Sequence, residues 1–272
     1  MKYFTKEWFG LCQKTSQHLL LHAAEQAETF SETLYQELYR EKEAEWVNLQ
    51  KNCYKMNVDE ILPTEFRIES FDGVEPTQEE KERAVAEYME KRRRYLEEQA
   101  AQPPFDLEKE RRVFRGRQQS FIRQLKRVLP KEILDQVADI RVLTLDVASP
   151  RVKEQITAFC QANEEKTDQA FPAYNEEFQK NFPNGYPDFV DDFHFHDCIV
   201  LSARKAGPDF RITLNNTGGF TNIVEILFHD AQVLNKERAL HGGWWLYDEI
   251  YPAENGYPTK SRKNVKKEKC TL

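Results

Sequence analysis

The 272-residue sequence predicts an α+β fold, an N-terminal multi-helix domain followed by a small antiparallel β module. Three observations point to it. Apolar residues recur at helical spacing through the first two-thirds of the chain. Helix-start signals stand before several of those runs: Thr77 with Glu80, Asp106, and Ser149-Pro150. From Phe193 onward, apolar and polar residues alternate in short runs broken by Gly and Asn, the period of half-buried strands.

Taken in order, Thr5 to about His22 places Trp8, Leu11, Cys12 and Leu19 on one helical face. Ser31 to about Cys53 does the same with Tyr35, Leu38, Tyr39, Trp46, Leu49 and Cys53. Asp59 to Pro76 reads as a connector with a short strand at 65–70. The Thr77/Glu80 capping box starts a helix that runs to about Ala101, where Pro103-Pro104 stops it. Asp106 caps a helix to about Leu129, and Pro130 opens a short one to Val137. Asp139–Val147, DIRVLTLDV, suits a helical turn or a strand, and the helical reading is preferred. Ser149-Pro150 opens a long helix that Pro172, lacking an N–H, should kink or split.

The loop NFPNGYPDF at Asn181–Phe189 holds two Pro and a Gly, so the boundary falls there. The expected domains are 1–185, helical, and 186–257, antiparallel β, followed by a basic disordered tail at 258–272. Strands are expected near 193–204, 210–215, 221–228, 231–235 and 243–251. Turns are expected at Ala206–Asp209 and at Asn215–Gly219.

Eighteen Phe, eleven Tyr and four Trp are ample for a core. The net charge of −7 argues against nucleic acid as the main partner. Lys6, Glu7, Lys14 and His18 interrupt the opening where a signal peptide would be apolar. No apolar run approaches bilayer length, so a cytoplasmic protein without a membrane partner is expected. The five cysteines lack a CxxC pair and read as free thiols in a reducing compartment.

Chemistry concentrates between Phe193 and Tyr251. The octet Phe195–Ser202, FHDCIVLS, is echoed by Phe228–Asn235, FHDAQVLN, which suggests two strands starting from similar corners; a chance echo is the plainer reading. On a strand, His194, His196 and Cys198 would share one face, a donor set that suits zinc and a metal-dependent hydrolase. The competing reading makes Cys198 a small buried hydrophobe and the histidines structural. Asp191, Asp192, Asp197, Asp230, Asp248 and Glu249 could pair with His196 or His229 for acid–base work, whereas His-Asp as a turn-bracing pair is simpler. Trp244 and Trp245 should face opposite sides of a strand, one in the core and one toward the helical domain or a partner.

No nucleophile elbow, phosphate loop or cofactor motif occurs, and no catalytic residue or cofactor is assigned. The cations between Lys91 and Arg127 are interspersed with Glu, so intrahelical pairs explain them more simply than anion or nucleic-acid binding.

With the opening MKYFTKEW and the motifs FHDCIVLS, LNNTGGFTNI and GGWWLYDEIY in view, the chain resembles a bacterial family of unknown function over nearly its whole length. The resemblance implies helices before a small β module and no established activity. It places His196 and Asp197 on the family's His-Asp strand start, and Trp244, Trp245, Tyr247 and Glu249 on its aromatic strand. The module is also loosely similar to small β domains of toxin-immunity proteins, which bind a partner without catalysis. The expectation is therefore a non-enzymatic protein-interaction or immunity-like protein that binds through His196, Asp197, Trp244, Trp245, Tyr247 and Glu249.

Overall fold

The computed structural model describes residues 1–65, 77–183, 193–232 and 240–252. The expected strand at 65–70, most of that at 231–235, and the tail at 258–272 lie outside them. Along the chain come α1 (Lys6–Cys12), β1 (His22–Ala23), α2 (Glu32–Lys55), α3 (Val58–Ile61), α4 (Gln78–Ala100), α5 (Leu107–Val128) and α6 (Lys131–Leu134). They are followed by α7 (Ile140–Leu143), β2 (Val147–Ala148), α8 (Pro150–Thr167), α9 (Ala170–Asn181), β3 (Ile199–Ala206), β4 (Asp209–Asn215) and β5 (Glu225–Phe228). This is the α+β order expected: helices first, then a three-stranded antiparallel sheet.

The chain forms two compact units, Leu20–Gln155 and Met1–Leu19 with Ile156–Leu272. The opening residues and the helical residues from Ile156 onward group with the C-terminal part of the chain.

In the unit Leu20–Gln155, local chemistry sets the helix starts. Ser31 accepts from the Leu34 N–H, Asp106 from the Lys109 N–H, and Thr77 and Glu80 close both halves of the capping box. Each such cap satisfies an N–H that the helix cannot, an effect of about 1 kcal/mol. Phe114, Leu125 and Val128 form the buried stripe of α5, and Tyr39 of α2 meets Phe114 edge-on at 5.2 Å. The segment DIRVLTLDV divides in two: Ile140–Leu143 is a helical turn, Asp146 takes φ 66°, and Val147–Ala148 pairs in parallel with His22–Ala23.

In the other unit, α1 ends at Cys12 rather than continuing to His22. The Thr15 hydroxyl bonds the Cys12 carbonyl at 3.0 Å, a local side-chain bond that competes with the helical ladder. Pro172 acts as expected, since α8 stops at Thr167 and α9 carries Pro172 in its first turn, where a missing N–H costs nothing.

The sheet order is β3-β4-β5, with β3 and β4 joined across Gly207-Pro208. Gly207 has φ 66°, which this two-residue turn requires at its first central position. Phe195, Cys198, Val200, Phe210, Ile212, Leu214, Ile226, Phe228 and Trp245 form one buried core against the sheet.

Three strand expectations need correction. Residues 193–198 are a turn rather than the start of a strand, because Asp197 takes φ 67° and the Cys198 N–H returns to the Phe195 carbonyl at 2.9 Å. Residues 221–224 are also outside the strand: the Thr221 side chain accepts from the Ile223 N–H and its carbonyl from Asn216, both turn bonds. Residues 243–251 make one isolated bridge, Ile199 with Trp244, and are otherwise non-strand.

Candidate functional site

Some of the residues singled out in sequence lie around the turn Phe195–Cys198: Trp245 and Tyr247 have rings against Phe195 and His196. Phe195 sits in the core at 5.2 Å from the Trp245 ring, while His196 projects outward with its Nδ1 3.0 Å from Asp197 Oδ2. The segment 240–245 runs beside this turn and β3. Gly242 donates to Val200, Val200 to Gly243, Trp245 to Cys198, and Asp197 to Trp245, at 2.8–2.9 Å.

That ladder separates the two tryptophans. Trp245 is 7% exposed and its indole N–H donates to Asp248 Oδ2 at 3.0 Å; Trp244, bridged to Ile199, is 60% exposed. The two rings point to opposite sides, as successive residues of an extended backbone do.

Tyr247 enters an aromatic cluster. Its ring lies 4.8 Å from Trp8, 5.6 Å from Phe4 and 5.6 Å from the imidazole of His196. Glu249 is 5% exposed, and its carboxylate accepts four hydrogen bonds: from the backbone N–H groups of Lys2, Tyr3 and Phe4 and from the Tyr251 hydroxyl, at 2.6–2.7 Å. The next backbone N–H, that of Ile250, donates to the Tyr174 hydroxyl.

The two adjacent carboxyls are pushed in opposite directions. Burial drives Asp248 above the ordinary carboxylate range, and the Trp245 indole and the neighbouring His194 and His196 only partly oppose it. Burial also acts on Glu249, but the Tyr251 hydroxyl and three backbone N–H donors outweigh it and hold this carboxyl below that range.

His194 and His196 are exposed whereas Cys198 is fully buried in the core, so the turn puts the three proposed metal donors on different sides. Among the described residues no group of three or more His, Cys, Asp or Glu side chains is placed to hold a metal ion. Asp191 and Asp192 lie outside the described residues.

The second Phe-His-Asp is built like the first. Phe228 fills the same core as Phe195, Asp230 takes φ 49° as Asp197 takes 67°, and His229 finds a carboxylate, Asp209 Oδ2, at 3.1 Å. Asp209 also accepts from the Asp230 N–H at 3.0 Å, so this carboxylate clamps the corner. Asp tolerates the left-handed region better than most residues, which is the shared physical reason for the repeated triplet.

Sequence reasoning missed the N-terminal tripeptide, Tyr174, Glu177 and the part played by Gly219. Glu177 accepts from the Lys2 ammonium at 2.5 Å and from the Tyr3 hydroxyl. A Cβ at Gly219 would lie 2.4 Å from Cys198 Sγ and 3.2 Å from the His196 carbonyl. Gly218-Gly219 is therefore a point of close approach to the His-Asp turn as well as a turn signal. The only sequence signal for the tripeptide is the unusual density of aromatics in the opening YFTKEWF.

The family described as "Protein of unknown function (DUF4085)" matches residues 105–261, more than half the chain, including both Phe-His-Asp corners and the aromatic segment 244–249. The chain belongs to this family. No curated protein and no solved structure matches it. As a DUF4085 protein it inherits no described activity, and the opening MKYFTKEW lies before the matched residues. Chemically, the geometry of this DUF4085 chain fixes backbone: the Asp209 and Glu249 carboxylates accept backbone N–H groups and so hold a corner and a segment in place.

Proposed function

We propose that this chain is a protein-binding protein whose β module presents Trp244 as a rigid aromatic anchor. The observation that carries the reading is the contrast between Trp244, 60% exposed, and its neighbour Trp245, 7% exposed, on one hydrogen-bonded segment. An exposed Trp on a preorganised backbone loses little conformational freedom on binding and offers a large apolar surface, the features of an interface hot spot. His196, Asp197 and Trp245 support the anchor by fixing the turn and ladder beside it, while Tyr247 and Glu249 tie the residues that follow to the opening segment. Among the described residues no helix is long and apolar enough to cross a membrane. A cytoplasmic setting accords with the free thiols of Cys12, Cys53, Cys160 and Cys198.

Photocrosslinking in the source cells tests this. A benzophenone amino acid at position 244 should give a discrete adduct that the same residue at the exposed position 205 does not. Identical adduct patterns from both positions, or none from 244, contradict the reading. An adduct with a toxin would narrow it to an immunity-like protein.

A further inference from the structure

We propose that the outward face of α5 binds duplex DNA through its phosphate backbone. The net charge of the chain is −7, and in sequence the cations of this region are explained by neighbouring glutamates. The structure separates the two helices that carry them. On α4 the pairing is complete enough to neutralise the cluster: Arg93 holds Glu90 at 2.7 Å and Glu97 at 2.6 Å, Arg92 holds Asp59, and Arg94 lies 3.9 Å from Glu90.

On α5 it is not. No Asp or Glu occurs between Arg111 and Val128. Arg112 has one distant partner, Asp106 at 4.0 Å, and among the described residues Arg115, Arg123, Lys126 and Arg127 form no ion pair. At 3.6 residues per turn, positions 112, 115, 123, 126 and 127 fall on one side of the helix, away from the buried stripe Phe114, Leu125 and Val128. The stripe runs roughly 22 Å at 1.5 Å per residue. All five side chains are exposed, and a Cβ at Gly116, in the middle of this face, would meet nothing within 4 Å.

Unpaired cations at helical spacing repel one another, so the face gains from a polyanion of matching charge. Four of the five are arginines, whose forked guanidinium suits phosphate oxygens. The stripe has no aromatic side chain on which unstacked bases could lie, which disfavours a single strand. An α-helix enters the major groove of B-form DNA but not the deep, narrow one of A-form RNA. The contacts are to phosphate and therefore independent of sequence.

The test is fluorescence anisotropy of the full chain with a labelled 20-base-pair DNA duplex between 50 and 200 mM KCl. Five phosphate contacts give a slope of log K against log salt of about −4.5, a loss on the order of 10²-fold or more over that range. The variant R115Q/R123Q/R127Q should reduce the slope by about 3, with helicity by circular dichroism unchanged. Removing three cations elsewhere, in K131Q/K180Q/K205Q, should leave it unaltered. A duplex RNA of the same length should bind more weakly. No binding at 50 mM KCl overturns the proposal. So does an unchanged slope in the α5 variant, or equal or tighter binding of single-stranded DNA, duplex RNA or polyglutamate.

Discussion

The carboxylate of Glu249 accepts the backbone N–H of Tyr3 at 2.7 Å across 246 positions of sequence, and flanking bonds to Lys2 and Phe4 make the contact a three-donor clamp. Three successive backbone donors converging on a buried carboxylate satisfy the charge better than a single neutral partner could. Glu249→Gln keeps the shape but presents an amide to N–H groups that need an acceptor. The expected loss is about 2–4 kcal/mol in urea unfolding, with faster hydrogen exchange at Lys2 to Phe4. Unchanged exchange at those amides would show that the clamp does not hold the segment.

Acid should release the same clamp. The folded carboxyl of Glu249 is depressed, so its contribution is fully present above the unfolded value and is lost as pH falls through the folded one. Urea midpoints of the parent and Glu249→Gln should therefore converge as the pH is lowered, and a gap that widens on acidification would contradict this.

Asp248 should behave with the opposite sign. Its folded carboxyl is raised by burial, so its contribution is present below the unfolded value and is lost as pH rises through the raised one. Asp248→Asn mimics the protonated form and retains an oxygen for the Trp245 indole. It should be at least as stable as the parent at pH 7, with any advantage shrinking as pH falls. A variant much weaker than the parent at neutral pH would show that the charge itself is required.

Gly219→Ala should cost about 1–3 kcal/mol, because the added Cβ would lie 2.4 Å from the sulfur of the fully buried Cys198. Shortening the opposing side chain makes room, so Gly219→Ala with Cys198→Ala should cost less than the two single losses added together. A double-mutant cycle on thermal or urea unfolding measures this coupling, expected at about 0.5–3 kcal/mol. Simple additivity would place the clash elsewhere.

The legible parts of this sequence are those decided by near neighbours. The Thr77/Glu80 box, the Asp106 cap and the Pro172 break act within a turn of helix, and each is where residue chemistry placed it. The Phe-His-Asp turn is hidden in sequence because the alternation Phe193-His194-Phe195-His196 imitates a strand, whereas one left-handed residue, Asp197, decides the geometry. The aromatic segment after Gly243 looked like a strand because its residues are β-prone. Contacts distant in sequence, Phe4 and Trp8 on Tyr247 and the N-terminal backbone on Glu249, fix its path instead, and no local pattern encodes them. The opposite environments of Trp244 and Trp245 were foreseeable from alternation alone; which ring would be buried was not.

The division of labour between those two rings is tested most directly by urea unfolding of Trp244→Ala beside Trp245→Ala. Trp245 packs on Phe195 and bonds Asp248, so its truncation should cost about 3–5 kcal/mol, whereas truncating the exposed Trp244 should change stability by no more than about 0.5 kcal/mol. A loss of 2 kcal/mol or more in Trp244→Ala would make that ring part of the fold, and would contradict its assignment as the anchor offered to a partner.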